Sequence, residues 1–218
     1  MVTINCDMGE GFGLYRIGDD EGLMPLIDVA NVACGFHASD FNHMRRTVQL
    51  AKRHGVKVGA HPSLPDLQGF GRREMKIGRE EMTNCLIYQI GALKGFLDAE
   101  GMALNHIKPQ GSLYGMAARI EDIAHAVADA ADVFKVPLFG MVGTLHETVY
   151  PARGHVFTHR LLHARGRFET MLLGAGTMAP LIRRLVPDAE IVTRDRLSVL
   201  SYAGSKTLTR LPPRSAIV

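Results

Sequence analysis

The sequence predicts an α/β fold built on a parallel sheet. Two observations carry that prediction. Short apolar runs alternate with helical patterns over the first 150 residues, and the repeats have the length of βα units. The apolar runs are also small and continuous rather than alternating, as in strands buried on both faces. Such a sheet is either open or closed into a barrel.

In chain order, residues 2–5 form a short first strand and residues 29–34 (Val-Ala-Asn-Val-Ala-Cys) a second. Asp19, Asp20 and Glu21 mark a helix start with a solvated face. Asp40 precedes a helix over residues 42–54, where Met44, Val48 and Ala51 recur at helical spacing and Gly55 closes the last turn. Residues 56–60 form the third strand, followed by a Gly/Pro-rich loop over 61–73. A long amphipathic helix spans 79–100 and ends at Gly101. Residues 106–108 are a strand tip before Pro109, residues 120–133 a helix, and residues 136–142 a fifth strand ended by Gly143. Beyond it, residues 178–185 read as a helix, 190–192 as a strand, and 206–218, with Pro212-Pro213, as a loose tail.

With 218 residues, 46% hydrophobic and 22% charged, the chain has enough apolar material for one globular domain over 1–218, which excludes disorder. No apolar run reaches membrane-spanning length, and the first residues lack a basic and then apolar leader, so a cytoplasmic protein is expected. Cys6, Cys34 and Cys85 make no metal-spacing pair and read as reduced thiols. Charge is uneven. Residues 1–151 balance at −4, whereas residues 152–218 carry 11 basic and 4 acidic side chains, ten of the basic ones Arg. Trp is absent and aromatics are 6%, so the Arg-rich part lacks the stacking residues of a nucleic-acid face, and no nucleic acid is expected.

In parallel βα folds function gathers past the carboxyl ends of the strands. That rule selects Asn5, Asp7 and Glu10 after the first strand, and Cys34, His37 and Asp40 after the second. It selects His61 and Asp66 after the third, and His106, Lys108 and Gln110 after the fourth. Four successive polar strand ends indicate a site. His61, between Ala60 and Pro62, suits a divalent metal or a general base, and Lys108 suits an anion. His43, His54 and His125 fall on helix patterns and read as surface or packing residues. His155, His159 and His163 share a helical spacing without the Glu of the zinc-protease motif. Gly9-Glu10-Gly11-Phe12-Gly13 lacks the Lys-Ser/Thr ending of a phosphate loop. Gly69-Phe70-Gly71-Arg72-Arg73 reads equally as an anion loop, with a nucleotide phosphate as one candidate, or as a salt-bridged loop.

Several blocks stand in a fixed order: Asn5-Cys6-Asp7-Met8-Gly9-Glu10-Gly11-Phe12-Gly13, Ala33-Cys34-Gly35-Phe36-His37-Ala38, Gly59-Ala60-His61-Pro62-Ser63, Pro65-Asp66-Leu67-Gln68-Gly69-Phe70-Gly71-Arg72-Arg73, Tyr88-Gln89-Ile90-Gly91-Ala92-Leu93 and His106-Ile107-Lys108-Pro109. Over about residues 1–145 they resemble the LamB/YcsF family, the A subunits of bacterial 5-oxoprolinase. The resemblance implies a seven-stranded β/α barrel of the glycoside hydrolase/deacetylase type. It also implies ATP-dependent opening of 5-oxoproline to glutamate with separate B and C subunits. The family blocks map onto Asn5, Asp7, Glu10, His37, His61, Arg72 and Lys108.

Two departures stand out. The family's Lys-Pro-His-Gly reads Lys108-Pro109-Gln110-Gly111, and Gln neither titrates nor readily ligates metal. The later Phe-Ala-Asp-Arg and Ile-Cys-Val-His-Gly-Asp blocks have no counterpart in the Arg-rich part from about Pro151, so the barrel is expected to be incompletely closed. Its exposed strand edges would be covered by a homo-oligomer or a partner subunit.

On this reading Asp7 and His61 activate water, directly or through a divalent metal held by Asp7, His37 and His61. Lys108 and Arg72 hold an anion, and His37 and Asn5 orient the amide. Asn5, Glu10, Arg72 and Gln110 are the expected substrate contacts. Two other readings are a metal-dependent amidase or deacetylase on a carbohydrate-like substrate, and a non-catalytic partner subunit, which Gln110 and the divergent C-terminal part motivate.

Overall fold

The computed structural model describes residues 3–152, all within one compact unit, Met1–Thr170. The expected helix over 178–185, strand over 190–192, tail over 206–218 and row of His155, His159 and His163 lie outside the described residues. Four strands, β1 (Asn5–Met8), β2 (Val29–Ala33), β3 (Lys57–His61) and β4 (Leu104–Ile107), form one sheet in the order β1-β2-β3-β4. Every pairing is parallel, so the predicted sheet type holds. Four described strands establish a parallel α/β sheet; the expected count of seven and the closure of a barrel are not among the described elements.

The first strand lies further along the chain than expected. Its register runs from Asn5 opposite Val29 to Met8 opposite Val32, so Asp7 sits within the strand and faces Asn31 across the ladder. The expected fifth strand is corrected to a single parallel bridge, Ile107 to Leu138. Pro137 has no N–H to offer a ladder, and only Pro137 O and Phe139 N bond Ile107, each at 2.9 Å.

Helices cover the sheet. The turn α1 (Asp20–Leu23) starts at Asp19, whose carboxylate accepts from Gly22 N. In α2 (Phe41–His54) the Asp40 carboxylate caps the amides of Asn42 and His43, and Gly55 ends the helix in the left-handed region at φ 68°. The 21-residue α3 (Arg79–Ala99) buries Met82, Leu86, Ile90, Leu93 and Leu97, one stripe at helical spacing. The short α4 (Gly111–Ala117), then α5 (Glu121–Phe134) and α6 (Leu145–Ala152), complete the described chain. Ala30, Val32, Val58, Ala60 and Ile107 from the sheet interlock with these stripes in one core. Among the described residues no helix is long and apolar enough to cross a membrane.

Candidate functional site

The carboxyl ends of the four parallel strands converge on a buried polar cluster. Its deepest member is Asn31, in the middle of β2 and 0% exposed. Its amide nitrogen donates to Asn5 Oδ1 at 2.9 Å and to Asp7 Oδ1 at 2.8 Å. Both protons of that amide are thereby used, so its oxygen is the acceptor for His106 Nε2 at 2.7 Å, which carries the proton on that nitrogen. Burial, followed by the charges of His61 and Lys108, pushes His106 down to about 4, so the ring is neutral at pH 7. It stacks on Phe139 at 4.3 Å. Space for the ring comes from Gly59, where a Cβ would lie 2.0 Å from His106 Cε1.

Above this layer sits Asp7. Lys108 Nζ donates to its Oδ1 at 2.5 Å, and His61 Nε2 lies 3.4 Å from its Oδ2. Burial favours the neutral acid, but neighbouring His61 and Lys108 outweigh it and hold the carboxyl well below the usual carboxylate range. At 3.4 Å the approach of His61 Nε2 to Asp7 Oδ2 makes no hydrogen bond. The other ring nitrogen, Nδ1, is 2.6 Å from Lys108 O; a carbonyl only accepts, so Nδ1 holds the proton. His61 Nε2 is consequently a buried, unpartnered acceptor.

His61 also belongs to a second group. One ligand atom each from Glu10, His37 and His61 lies within 4.8 Å of the others. His37 Nε2 is 3.3 Å from Glu10 Oε1, and the two imidazoles meet edge-on at 5.5 Å. Burial lowers the His37 pKa, partly offset by the Glu10 bond, and so favours the neutral form that a metal requires. Two imidazoles and a carboxylate, with His61 Nε2 buried and unpartnered, fit a divalent cation. Glu10 stands in this group where the expected set has Asp7, whose Oδ1 accepts from Lys108 and Asn31 and whose Oδ2 lies 3.4 Å from His61 Nε2.

Gly9 N donates to Asp20, Gly13 N to Asp40 and Gly69 N to Asp66, so the glycine-rich segments face this chain's own carboxylates and do not fit a triphosphate. Arg73 pairs with Asp66 and, with two backbone amides, holds that carboxyl down to about 2. Of the two readings of residues 69–73, the salt-bridged loop describes Arg73. Arg72 has no ion pair among the described residues; its guanidinium lies 5.9 Å from the Phe70 ring. With Lys108, Gln110, Ser112, Tyr114 and Arg119 it lines an open groove of about 530 Å³.

A model of the LamB/YcsF family matches residues 2–178. The chain belongs to that family. It is 57% identical over 143 residues to the lactam utilization protein lamB of Emericella nidulans, covering 66% of this chain and 56% of that protein. It is 52% identical over 147 residues to the 5-oxoprolinase A subunit of Bacillus licheniformis, covering 66% and 57%. Among solved structures it is similar to the lactam utilization protein from Thermus thermophilus, with a TM-score of 0.70 and 46% identity over 72% of this chain and 64% of that one. The chain spans a little over half the length of the curated relatives it matches.

Among the expected site residues of this LamB/YcsF chain, Asp7, His61 and Lys108 form one contact cluster, and Glu10 and His37 join it through His61. Asn5 reaches it only through Asn31. Arg72 and Gln110 stand apart in the groove, and Gln110 Nε2 donates to Phe70 O at 3.5 Å. Asp40 and His43 are cap partners, 2.7 Å apart. Two neighbours that hold this cluster lie outside the strand-end rule. Asn31 lies mid-strand. Gln89 lies on the buried face of α3 and clamps the backbone next to His61: Ser63 N donates to its Oε1 at 2.9 Å, and its Nε2 donates to Ser63 O at 2.8 Å. A polar residue inside an apolar run was the available signal for both.

Proposed function

We propose that this chain is the A subunit of a 5-oxoprolinase and hydrolyses the cyclic amide of 5-oxoproline to glutamate together with B and C subunits. One observation carries the reading: Asp7, His61 and Lys108 meet at the sheet's carboxyl end in a chain at least half identical, over their matched lengths, to proteins named as a 5-oxoprolinase A subunit and a lactam utilization protein.

Water adds to the lactam carbonyl, the ring C–N bond breaks, and the departing nitrogen takes a proton. His61 Nε2 is the unpartnered base that accepts the proton from water, and Asp7 stabilises the resulting imidazolium. The same proton then passes to the ring nitrogen. Lys108 and Arg72 are the cations for the substrate carboxylate, and His37 orients the amide. A divalent ion bound by Glu10, His37 and His61 would supply Lewis-acid polarisation of the amide oxygen. In that loaded form Asp7 Oδ2 is the remaining proton acceptor. ATP coupling, which the family resemblance implies, belongs in this reading to the companion subunits.

The same three ligands favour a second reading, a metal-dependent amidase or deacetylase that needs no ATP. The test is glutamate release from 5-oxoproline by the chain with B and C subunits and ATP. Wild type should release glutamate, and His61→Ala or Asp7→Asn should lose at least about 100-fold. Full activity in either variant overturns the residue assignment. A tightly bound ion with ATP-independent amide hydrolysis establishes the second reading instead.

A further inference from the structure

Beside the Arg72-lined groove lies a smaller cleft of about 200 Å³ that no role above assigns. Phe12, Tyr15, Ile17 and Phe70 supply its apolar walls, and Glu10 and His37 line it with them. Three of those walls are held out of the core: Phe12 is 41%, Tyr15 76% and Ile17 50% exposed. They are fixed by the backbone instead. Phe12 and Tyr15 exchange two hydrogen bonds of 3.0 and 2.8 Å, and Gly13, at φ 56°, is tied to Asp40 at 2.8 Å. Exposed apolar side chains on a fixed turn, beside a polar cluster, are the composition of a small-molecule pocket.

Phe70 is the informative wall. Its φ of 58° lies in the left-handed region, which an L-residue with a bulky side chain rarely adopts. The loop enforces it: Gly71 N donates to Asp66 O at 2.9 Å and Gln110 Nε2 donates to Phe70 O at 3.5 Å. The outcome is a ring edge-on to His37 at 5.3 Å and 5.9 Å from the Arg72 guanidinium. Phe70 therefore stands between the candidate metal ligands and the cation of the neighbouring groove.

We propose that this cleft is the subsite for the methylene edge of a five-membered lactam, and that Phe70 sets the ring size it accepts. The proposal rests on the lactam reading of the same site. The amide then lies against Glu10 and His37, and a carboxylate on the ring faces Arg72.

The experiment is calorimetric titration of the full chain with 5-oxoproline, with 2-pyrrolidinone, and with the six-membered lactam acid 6-oxopiperidine-2-carboxylic acid. Ile17→Trp, at a half-exposed position that does not threaten the fold, fills the cleft and should weaken both five-membered lactams at least tenfold. Phe70→Ala should weaken 5-oxoproline about tenfold while narrowing or reversing its preference over the six-membered acid; circular dichroism checks that this variant is folded. If wild type binds 5-oxoproline and both variants match it within twofold with unchanged ring preference, the subsite is overturned while the lactam reading stands. Wild-type chain that binds no lactam even with B and C subunits present overturns both.

Discussion

His61 Nδ1 and the carbonyl oxygen of Lys108 lie 2.6 Å apart, and this one contact decides the chemistry of the ring. Because a carbonyl only accepts, the proton stays on Nδ1 and Nε2 is left basic, 3.4 Å from Asp7 Oδ2. The chain segment after β4 thus selects the tautomer of a residue on β3, while its Lys108 side chain neutralises the carboxylate that the ring faces. His61→Gln should keep the bulk of the side chain but remove the titrating group. Turnover should fall about 100-fold or more with substrate affinity little changed. A variant that kept wild-type turnover would place the base elsewhere.

Asp7 makes stability depend on pH in a stated direction. Its carboxyl is held below the ordinary value, so the unfolded chain binds a proton at higher pH than the folded chain. The stabilisation is complete above about pH 4, the unfolded value, and is lost as pH falls through the folded one. Asp7→Asn removes that gain and leaves Lys108 without its partner. Urea unfolding should show a loss of about 1–2 kcal/mol at pH 7, a modest figure because water reaches the pair, and the gap to wild type should shrink on acidification below pH 4. A gap that stays constant down to pH 3 would contradict the assignment.

The cation site makes a separable prediction. Wild-type chain incubated with zinc and desalted should retain about one ion, and Glu10→Gln should retain much less. Asp7→Asn should hold the metal nearly as well as wild type, because Asp7 lies outside the three-residue cluster. Metal loss in Asp7→Asn together with retention in Glu10→Gln would restore the set expected from sequence. Elemental analysis of the three samples decides.

How much of this was legible in the sequence depends on how local each cause is. Asp40 and Gly55 announce their helix because a cap and a left-handed stop are properties of single residues. The βα alternation announced the parallel sheet for the same reason. The fifth strand failed at Pro137, where an apolar run satisfied the pattern but could not supply the ladder donor. The short α4 was missed because Gly111 and Gly115 weaken its helical signal, and α6 because Pro151 sits inside it. The strand-end rule found Asp7, His37, His61 and Lys108, whose positions follow from topology. It named Asp7 beside His37 and His61 as metal ligands, whereas the carboxylate that packing brings next to the two imidazoles is that of Glu10. Asn31 and Gln89 read as ordinary members of a strand and a helix until packing shows what their amides hold.

Asn31 offers the sharpest test of that buried layer, because removing its amide breaks three bonds at once. Asn31→Ala leaves the His106 Nε2–H without an acceptor in a buried place and frees Asp7 to rotate away from His61. Each unpartnered buried group costs about 1–3 kcal/mol, so a melting temperature several degrees lower is expected. Asn31→Leu, which restores volume without the amide, should recover part of the packing and none of the turnover. If packing alone mattered, the leucine variant would regain both. Gly59→Ala attacks the same layer from the other side, since its methyl would occupy the His106 ring position and cost about 1–3 kcal/mol. Thermal melts and turnover of all three variants separate the two effects: a melting temperature recovered by leucine without activity assigns Asn31 to holding Asp7, and joint recovery assigns it to the core.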